Sequence, residues 1–197
     1  MELKKGQLAI LLINLFLVTI FSFLAFKKSN YEFIFYILII IILLILVLVT
    51  NKKNNLSNFV LWGLTGWAFL HMFGGIIRID GVIVYGHVLL KIIETQNFTI
   101  LRYDQLVHAY GFGIATIVGY GLLKPNLKQK VNWKVLSFML VFIGMGLGVV
   151  NELVEFMAVL ALPETGVGGY YNTLFDLTFN TIGSIIAVII INLKKDL

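Results

Sequence analysis

Long runs of apolar residues, separated by short polar segments, make up most of the chain. A helix needs about 20 mainly apolar residues to cross the hydrocarbon core of a membrane. Six segments approach or exceed this length, at residues 7–26, 33–50, 58–77, 104–123, 135–162 and 171–193. The runs are continuous, whereas the strands of a membrane β-barrel alternate apolar and polar residues. The pattern predicts an all-α integral membrane protein with about six transmembrane helices.

The first segment follows Lys4 and Lys5, as the apolar part of a secretory signal would. It is too long for such a signal, and no small-x-small cleavage site follows it, so we expect a retained span. The first two segments are almost wholly aliphatic and aromatic, whereas the last four also carry glycines and ionisable groups. This contrast predicts a two-helix hydrophobic hairpin over residues 1–57 and a four-helix membrane core over residues 58–197, within a single structural domain.

Composition supports the membrane assignment and excludes several kinds of chemistry. Of the 197 residues, 59% are hydrophobic and 13% are charged, whereas a soluble domain has about 25% charged residues. The net charge of +5 is explained by membrane topology and anionic lipid headgroups, and it does not indicate nucleic-acid binding. The chain has no cysteine, which excludes disulfides, thiolate metal sites and thiol nucleophiles.

The distribution of basic residues predicts that both termini are cytoplasmic, because cytoplasmic loops carry an excess of Lys and Arg. The predicted inner segments contain Lys4, Lys5, Lys52, Lys53, Lys124, Lys128, Lys130, Lys134, Lys194 and Lys195. The predicted outer segments contain Lys27, Lys28, Arg78, Lys91 and Arg102. The long outer connection over residues 78–103 fits either a short hairpin or a helix lying at the interface.

Spans three to six place their strongly polar side chains near the outer end, most of them within about 15 Å of the outer surface at ~1.5 Å per residue. These residues are His71, Asp104, His108, Glu152, Glu155, Asp176 and Asn180. Gly144 and Gly148 share a helix face with Glu152, and Gly63 shares one with His71. Small residues let helices approach closely. The spacing therefore predicts a polar cavity toward the outer leaflet, formed by helices 3–6.

The fourth and sixth spans share a pattern, YDQLVHAYGFGIA and FDLTFNTIGSIIA. In each, an Asp is followed four residues later by His or Asn, three residues after that by Gly, and four residues after that by Ala. A duplication, a common packing solution or chance would each account for it.

Two glutamates one helical turn apart inside a membrane need compensation by a proton, a cation or a metal ion. His71, His108, Glu152, Glu155 and Asp176 form a candidate ligand set for Zn, Mn, Fe or Mg, although no motif such as H-E-x-x-H is present. The candidate catalytic residues are His108, Glu152, Glu155 and Asp176. The candidate substrate-binding residues are Arg78, Arg102, Asp104 and Asn180, with the arginines holding an anionic headgroup. Alternatively, His71 and Asn180 are packing residues, and the polar layer only sets helix register.

The motifs HMFGG, YDQLVH, ELVEF and GGYYNTLFDLTFNTIGSIIA resemble those of the YjdF-type uncharacterised bacterial inner-membrane family and the related VanZ-like membrane proteins. The resemblance covers about residues 60–190. The YjdF type has Gly-Asp-x-x-Asp before its last helix, whereas this chain has Gly169 and Asn172 there and retains only Asp176. The resemblance implies a multi-pass protein of the bacterial inner membrane, and for the VanZ type a link to glycopeptide resistance, but no established reaction.

Three functional hypotheses stay open on the sequence, and intramembrane ionisable residues favour the first two. The first is an enzyme acting on a lipid or lipid-linked anionic substrate, assisted by a divalent metal ion or by the carboxylate pair. The second is a proton-coupled carrier or binder that uses Glu152 and Glu155. The third is a structural or accessory membrane protein. The oligomeric state is left open.

Overall fold

The computed structural model describes residues 4–95, 99–127 and 130–194, apart from the side chains of residues 52–54. Six helices are long and apolar enough to span a membrane within this part of the chain. They are α1 (Gln7–Lys27), α2 (Tyr31–Asn54), α3 (Asn58–Ile76), α4 (Tyr103–Leu123), α5 (Trp133–Ala161) and α6 (Tyr170–Leu193). The prediction of an all-α, six-helix membrane protein is confirmed. Four of the lysines that predict cytoplasmic termini lie wholly or by their side chains outside the described residues, namely Lys128, Lys195 and the side chains of Lys52 and Lys53.

Side-chain caps define where three helices begin. Asn30 accepts a hydrogen bond from the Phe33 amide at 3.0 Å, and Ser57 accepts one from the Val60 amide at 3.4 Å. Asn132 accepts from the first amides of α5. Such caps satisfy amide groups that have no partner within the helix. Because Asn30 starts α2 at Tyr31, two residues before the predicted span, Glu32 becomes part of the helix.

Helices α4 and α6 run parallel and in close contact. Their paired residues advance in the same direction along both helices, from His108 with Asn180 to Gly113 with Gly183. A Cβ atom added to Gly183 would overlap the backbone of Ala109. Glycine is therefore required at position 183 for the two backbones to meet. The close packing brings His108 of α4 against Asn180 of α6.

Helix α5 packs against this pair through the predicted glycine stripe. A Cβ atom at Gly144 would overlap the hydroxyls of Ser184 and Thr116, and one at Gly148 would lie 2.7 Å from the Asn180 amide nitrogen. The prediction that the stripe carrying Glu152 faces other helices is confirmed by these contacts.

Helices α1, α2 and α3 pack beside α4 through aromatic and small residues. The Phe33 ring fills the space above Gly75, so a side chain at Gly75 would overlap it. Asn14 of α1 donates to the Thr65 hydroxyl of α3 at 2.7 Å. The opposite end of the bundle, around Leu56, Tyr120 and Ile191, is an aliphatic and aromatic core.

The connection between α3 and α4 is a pair of hairpins, which decides between the two alternatives left open by the sequence. Strands β1 (Arg78–Ile79) and β2 (Val82–Ile83) are antiparallel, as are β3 (Val88–Glu94) and β4 (Thr99–Arg102). A 3₁₀ turn between them carries Tyr85. The amide of Tyr103 donates to the His87 carbonyl at 2.9 Å, which ties this connection to the start of α4.

Candidate functional site

His108 of α4 is the centre of the candidate site. Its side chain is 8% exposed, and acidic groups from three helices surround it. The Nε2 atom lies 3.5 Å from Oδ1 of Asp104 and 3.9 Å from Oδ1 of Asp176, while Nδ1 lies 3.9 Å from Oε1 of Glu152. The parallel packing of α4 and α6 explains why the two aspartates face the same imidazole nitrogen.

Asn180 determines which imidazole nitrogen of His108 is free. Its Oδ1 atom lies 3.0 Å from Nδ1, and an amide oxygen can only accept a hydrogen bond. Nδ1 therefore carries a proton, and in the neutral imidazole the lone pair of Nε2 is directed toward Asp104 and Asp176. Metal-binding histidines are oriented in this way by a partner on the other ring nitrogen.

Asn172 holds the two aspartates from the opposite side. Its amide nitrogen donates to Oδ2 of Asp104 at 3.4 Å and to Oδ2 of Asp176. The Oδ1 atoms of both residues are left facing His108. Oδ1 of Asp176 is buried and has no hydrogen-bond partner within the described ranges. A buried carboxylate oxygen without a partner is costly, so this atom calls for a ligand.

Two overlapping groups of ligand atoms result, each with its atoms within 4.8 Å of one another. One consists of Asp104, His108 and Asp176, and the other of His108, Glu152 and Glu155. The proton on Nδ1 favours the first group, because the second would need Nδ1 as a ligand. Glu155 instead accepts a hydrogen bond from Asn151 at 2.8 Å.

His71 lies at the edge of the site and does not belong to either group. Burial raises the pKa of the Tyr85 phenol well above its usual value of 10.0, so this hydroxyl keeps its proton. Its distance to Nδ1 of His71 is 2.6 Å, and it has no other hydrogen-bond partner among the residues described. The Tyr85 hydroxyl thus occupies Nδ1 of His71, and His71 is outside both groups of converging ligand atoms.

A cavity of about 50 Å³ opens beside these groups. Its lining comes from helices α2 to α6, from the 3₁₀ turn and from the segment after α5, and it includes Glu32, His71, Asp104, His108 and Glu155. This volume holds about three to five water molecules. The cavity is therefore large enough for an ion with its water ligands, but not for a lipid headgroup.

The two predicted arginines lie in different environments. Arg78 is exposed and donates to the Gly81 carbonyl at 3.0 Å, and it does not line the cavity. Arg102 directly precedes α4, two residues from Asp104, and its Nε atom is buried without a partner in the described part of the chain. Neither arginine lines the cavity, and Arg102 is the one that adjoins the helix carrying Asp104 and His108.

Sequence reasoning missed Glu32, Tyr85 and Asn172 as site residues. Glu32 lies one residue before the apolar run from which the second span was drawn, and Asn30 as a capping residue was the signal that could have extended the helix. For Asn172 the available signal was its position four residues before Asp176, which places both side chains on the same helix face. No local signal identifies Tyr85, because its partner His71 belongs to another element.

Comparison with known families assigns the chain a place among membrane proteins. The family described as "Predicted membrane protein (DUF2238)" matches residues 8–196. The chain belongs to this family. Its description agrees with the six apolar helices, so this DUF2238 member is a multi-pass membrane protein. Searches among curated proteins and solved structures found no match.

Proposed function

We propose that this DUF2238 protein is a divalent-metal-dependent membrane protein that binds and processes the polar part of a lipid or lipid-linked substrate. The observation that carries the proposal is the convergence of Nε2 of His108 with Oδ1 of Asp104 and Oδ1 of Asp176. All three atoms are left free by hydrogen bonds that occupy the other polar atoms of the same side chains.

The spacing of these atoms suits a metal ion. Ligand atoms about 2.1 Å from a metal ion in tetrahedral arrangement are about 3.4 Å apart, and the two aspartate oxygens lie 3.5 and 3.9 Å from Nε2. Shifts of less than an ångström would complete the site. One imidazole and two carboxylates suit Zn, Mn, Fe or Mg. Asp104, predicted as a substrate-binding residue, becomes a ligand in this proposal, and His71 does not.

The chemistry would divide between the metal ion and the glutamates. A bound metal ion polarises a phosphoryl or carbonyl oxygen and makes bound water a nucleophile near neutral pH. Glu152 lies on the Nδ1 side of the same imidazole, where a carboxylate can take a proton from water or substrate. In this proposal His108 acts as a ligand, while Glu152 and Glu155 supply the acid–base function.

The substrate class follows from the membrane position of the site. The ligand residues belong to helices that span the membrane, so a molecule dissolved in the membrane approaches the site from the surrounding lipid. An anionic headgroup would be held by the metal ion and by Arg102. We place the site on the outer side of the inner membrane, and we relate the family to the YjdF-type and VanZ-like proteins, on the basis of the lysine distribution and the motifs quoted above.

A second candidate, a proton-coupled carrier or binding protein, is favoured by the glutamate pair. Oε1 of Glu152 is buried without a partner, and no Lys or Arg forms an ion pair with Glu152 or Glu155 within the described residues. A proton taken up on loading would neutralise such a pair.

Elemental analysis of protein purified without chelator separates the two candidates. We expect one divalent ion per chain in the wild type, loss of that ion in Asp176→Asn and His108→Gln, and retention in the matched control Asp80→Asn. Asp80 is exposed and has a positive φ of 50°, a conformation that asparagine tolerates. A wild-type protein that neither contains nor takes up Zn, Mn, Fe or Mg would refute the metal proposal and favour the carrier.

A further inference from the structure

A second, larger space lies beside the metal-site residues. It is a groove of about 420 Å³ between α5, α6 and the segment that connects them. Its walls are mainly apolar and include Val149, Leu153, Phe156, Val159 and Leu177. Small-molecule sites in proteins have volumes of about 300–1,000 Å³, so the groove is large enough to hold part of a ligand.

The groove and the small cavity share part of their lining. Glu155, Val167 and Gly168 line both spaces, and Glu152 lines the groove. A ligand in the groove would therefore meet two carboxylates on the α5 wall, and Oε1 of Glu152 lies 3.9 Å from Nδ1 of His108. These side chains separate an apolar space from the polar site.

The position of the groove in the bundle identifies the medium that it faces. Leu153 and Phe156, on its rim, are 57% and 55% exposed, and both belong to a membrane-spanning helix. Hydrocarbon chains surround this part of the molecule. Carboxylates beside bulk lipid are expensive and mark substrate paths in membrane proteins, so an occupant needs an apolar part for the walls and a polar part for the glutamates.

We infer that the α5/α6 groove holds one hydrocarbon chain of a membrane lipid and brings the polar end of that lipid past Glu152 and Glu155 to the site. The inference rests on the proposed function in one respect, namely that the polar end is delivered to the metal-site residues. The cavity beyond Glu155 admits only a small group, because its volume is about 50 Å³. The remainder of the headgroup stays at the mouth of the groove.

The structure offers a blocking variant with a matched control. Gly169 lines the groove, has an unstrained φ of −83°, and has nothing within 4 Å of an added Cβ atom. Gly169→Trp therefore adds a large side chain at the groove wall, and its Cβ atom meets no backbone. Gly146 of α5 is equally open but does not line the groove, so Gly146→Trp is the control. Thr173→Phe, from the α6 wall, is a second blocking variant if the first fails to fold.

The test is photo-crosslinking in vesicles of phosphatidylethanolamine and phosphatidylglycerol that contain phosphatidylglycerol with a diazirine at its chain end. Adducts are mapped by mass spectrometry. We expect adducts on Leu153 and Phe156 to exceed, several-fold, those on the equally exposed Phe16 and Phe23 of α1. Gly169→Trp should abolish the excess, and Gly146→Trp should retain it.

Metal content, measured on the same samples, distinguishes this inference from the proposed function. Equal labelling of groove and reference residues in metal-containing protein would overturn the groove inference and leave the metal site standing. If groove residues are labelled preferentially in protein that contains no metal, and Asp176→Asn does not change that labelling, the groove inference is supported and the metal proposal is overturned.

Discussion

A single methyl group added at Gly183 should disturb both the bundle and the site. The substitution Gly183→Ala places a Cβ atom 1.9 Å from the carbonyl oxygen of Ala109 and 2.7 Å from its carbonyl carbon. Ordinary contacts of a Cβ atom begin at 3.4 Å, so α4 and α6 must separate by about 1.5 Å to relieve the overlap with the oxygen. The Ala109 group is backbone and cannot rotate aside as a side chain would.

The same movement reaches the proposed metal site, because His108 precedes Ala109. The His108–Asn180 distance of 3.0 Å would increase to about 4.5 Å, beyond the range of a hydrogen bond. Overpacking costs about 1–3 kcal/mol, whereas replacing glycine by alanine within a helix contributes about 1 kcal/mol of stability. With backbone as the obstacle the overlap prevails, and we expect a net loss of about 1–2 kcal/mol.

Thermal unfolding and metal analysis of Gly183→Ala in the same detergent measure both effects. The matched control is Gly146→Ala, where an added Cβ meets nothing within 4 Å and where only the helix-propensity gain is expected. If Gly183→Ala were as stable as Gly146→Ala and retained the same metal content, the close contact between α4 and α6 and its link to His108 would both be wrong.

Three further measurements test other parts of the site. Asn180→Ala should weaken metal binding about 10- to 100-fold, because it removes the partner that orients His108. Titration calorimetry measures this loss, and Asn192→Ala, which removes an interhelical bond to Ser137 elsewhere in the bundle, should leave the affinity unchanged. Glu32→Ala removes the acceptor for the Gly166 amide at 2.6 Å and should speed hydrogen exchange there about tenfold; unchanged exchange would contradict the tether. Removing a metal ion present at 100 times its dissociation constant should lower stability by about 2.7 kcal/mol, and identical unfolding with and without chelator would count against a bound ion.

The helices themselves were predictable because their signal is local. Hydropathy and length identified six spans, and each predicted boundary falls within four residues of the observed helix end. The glycine stripe at Gly144 and Gly148 was also readable, because residues three or four apart share a helix face. The assignment to a membrane family agrees with this level of description.

The grouping of polar residues at one depth was likewise a sequence inference, and the structure brings His71, Asp104, His108 and Glu155 to one cavity. Depth alone does not determine orientation around the helix axis or the contacts of a loop. Arg78 has the right depth but lies exposed in a hairpin. The orientation of the bundle in the membrane and the domain boundary at residue 57 stay predictions.

Glu152 and Glu155, the two glutamates of the segment NELVEF, are explained only in part by the sequence. Composition and spacing determined that Glu152 and Glu155 lie in a span and need compensation. The tertiary structure decided that both line an apolar groove and that Glu155 also lines the small cavity. It also decided that Asn180 and Asn172 leave Nε2 of His108 and two Oδ1 atoms free. Asn180 is 72 residues from His108, and Asn172 is 68 residues from Asp104. Such contacts depend on the packing of α6 against α4, which helical periodicity within each segment does not encode.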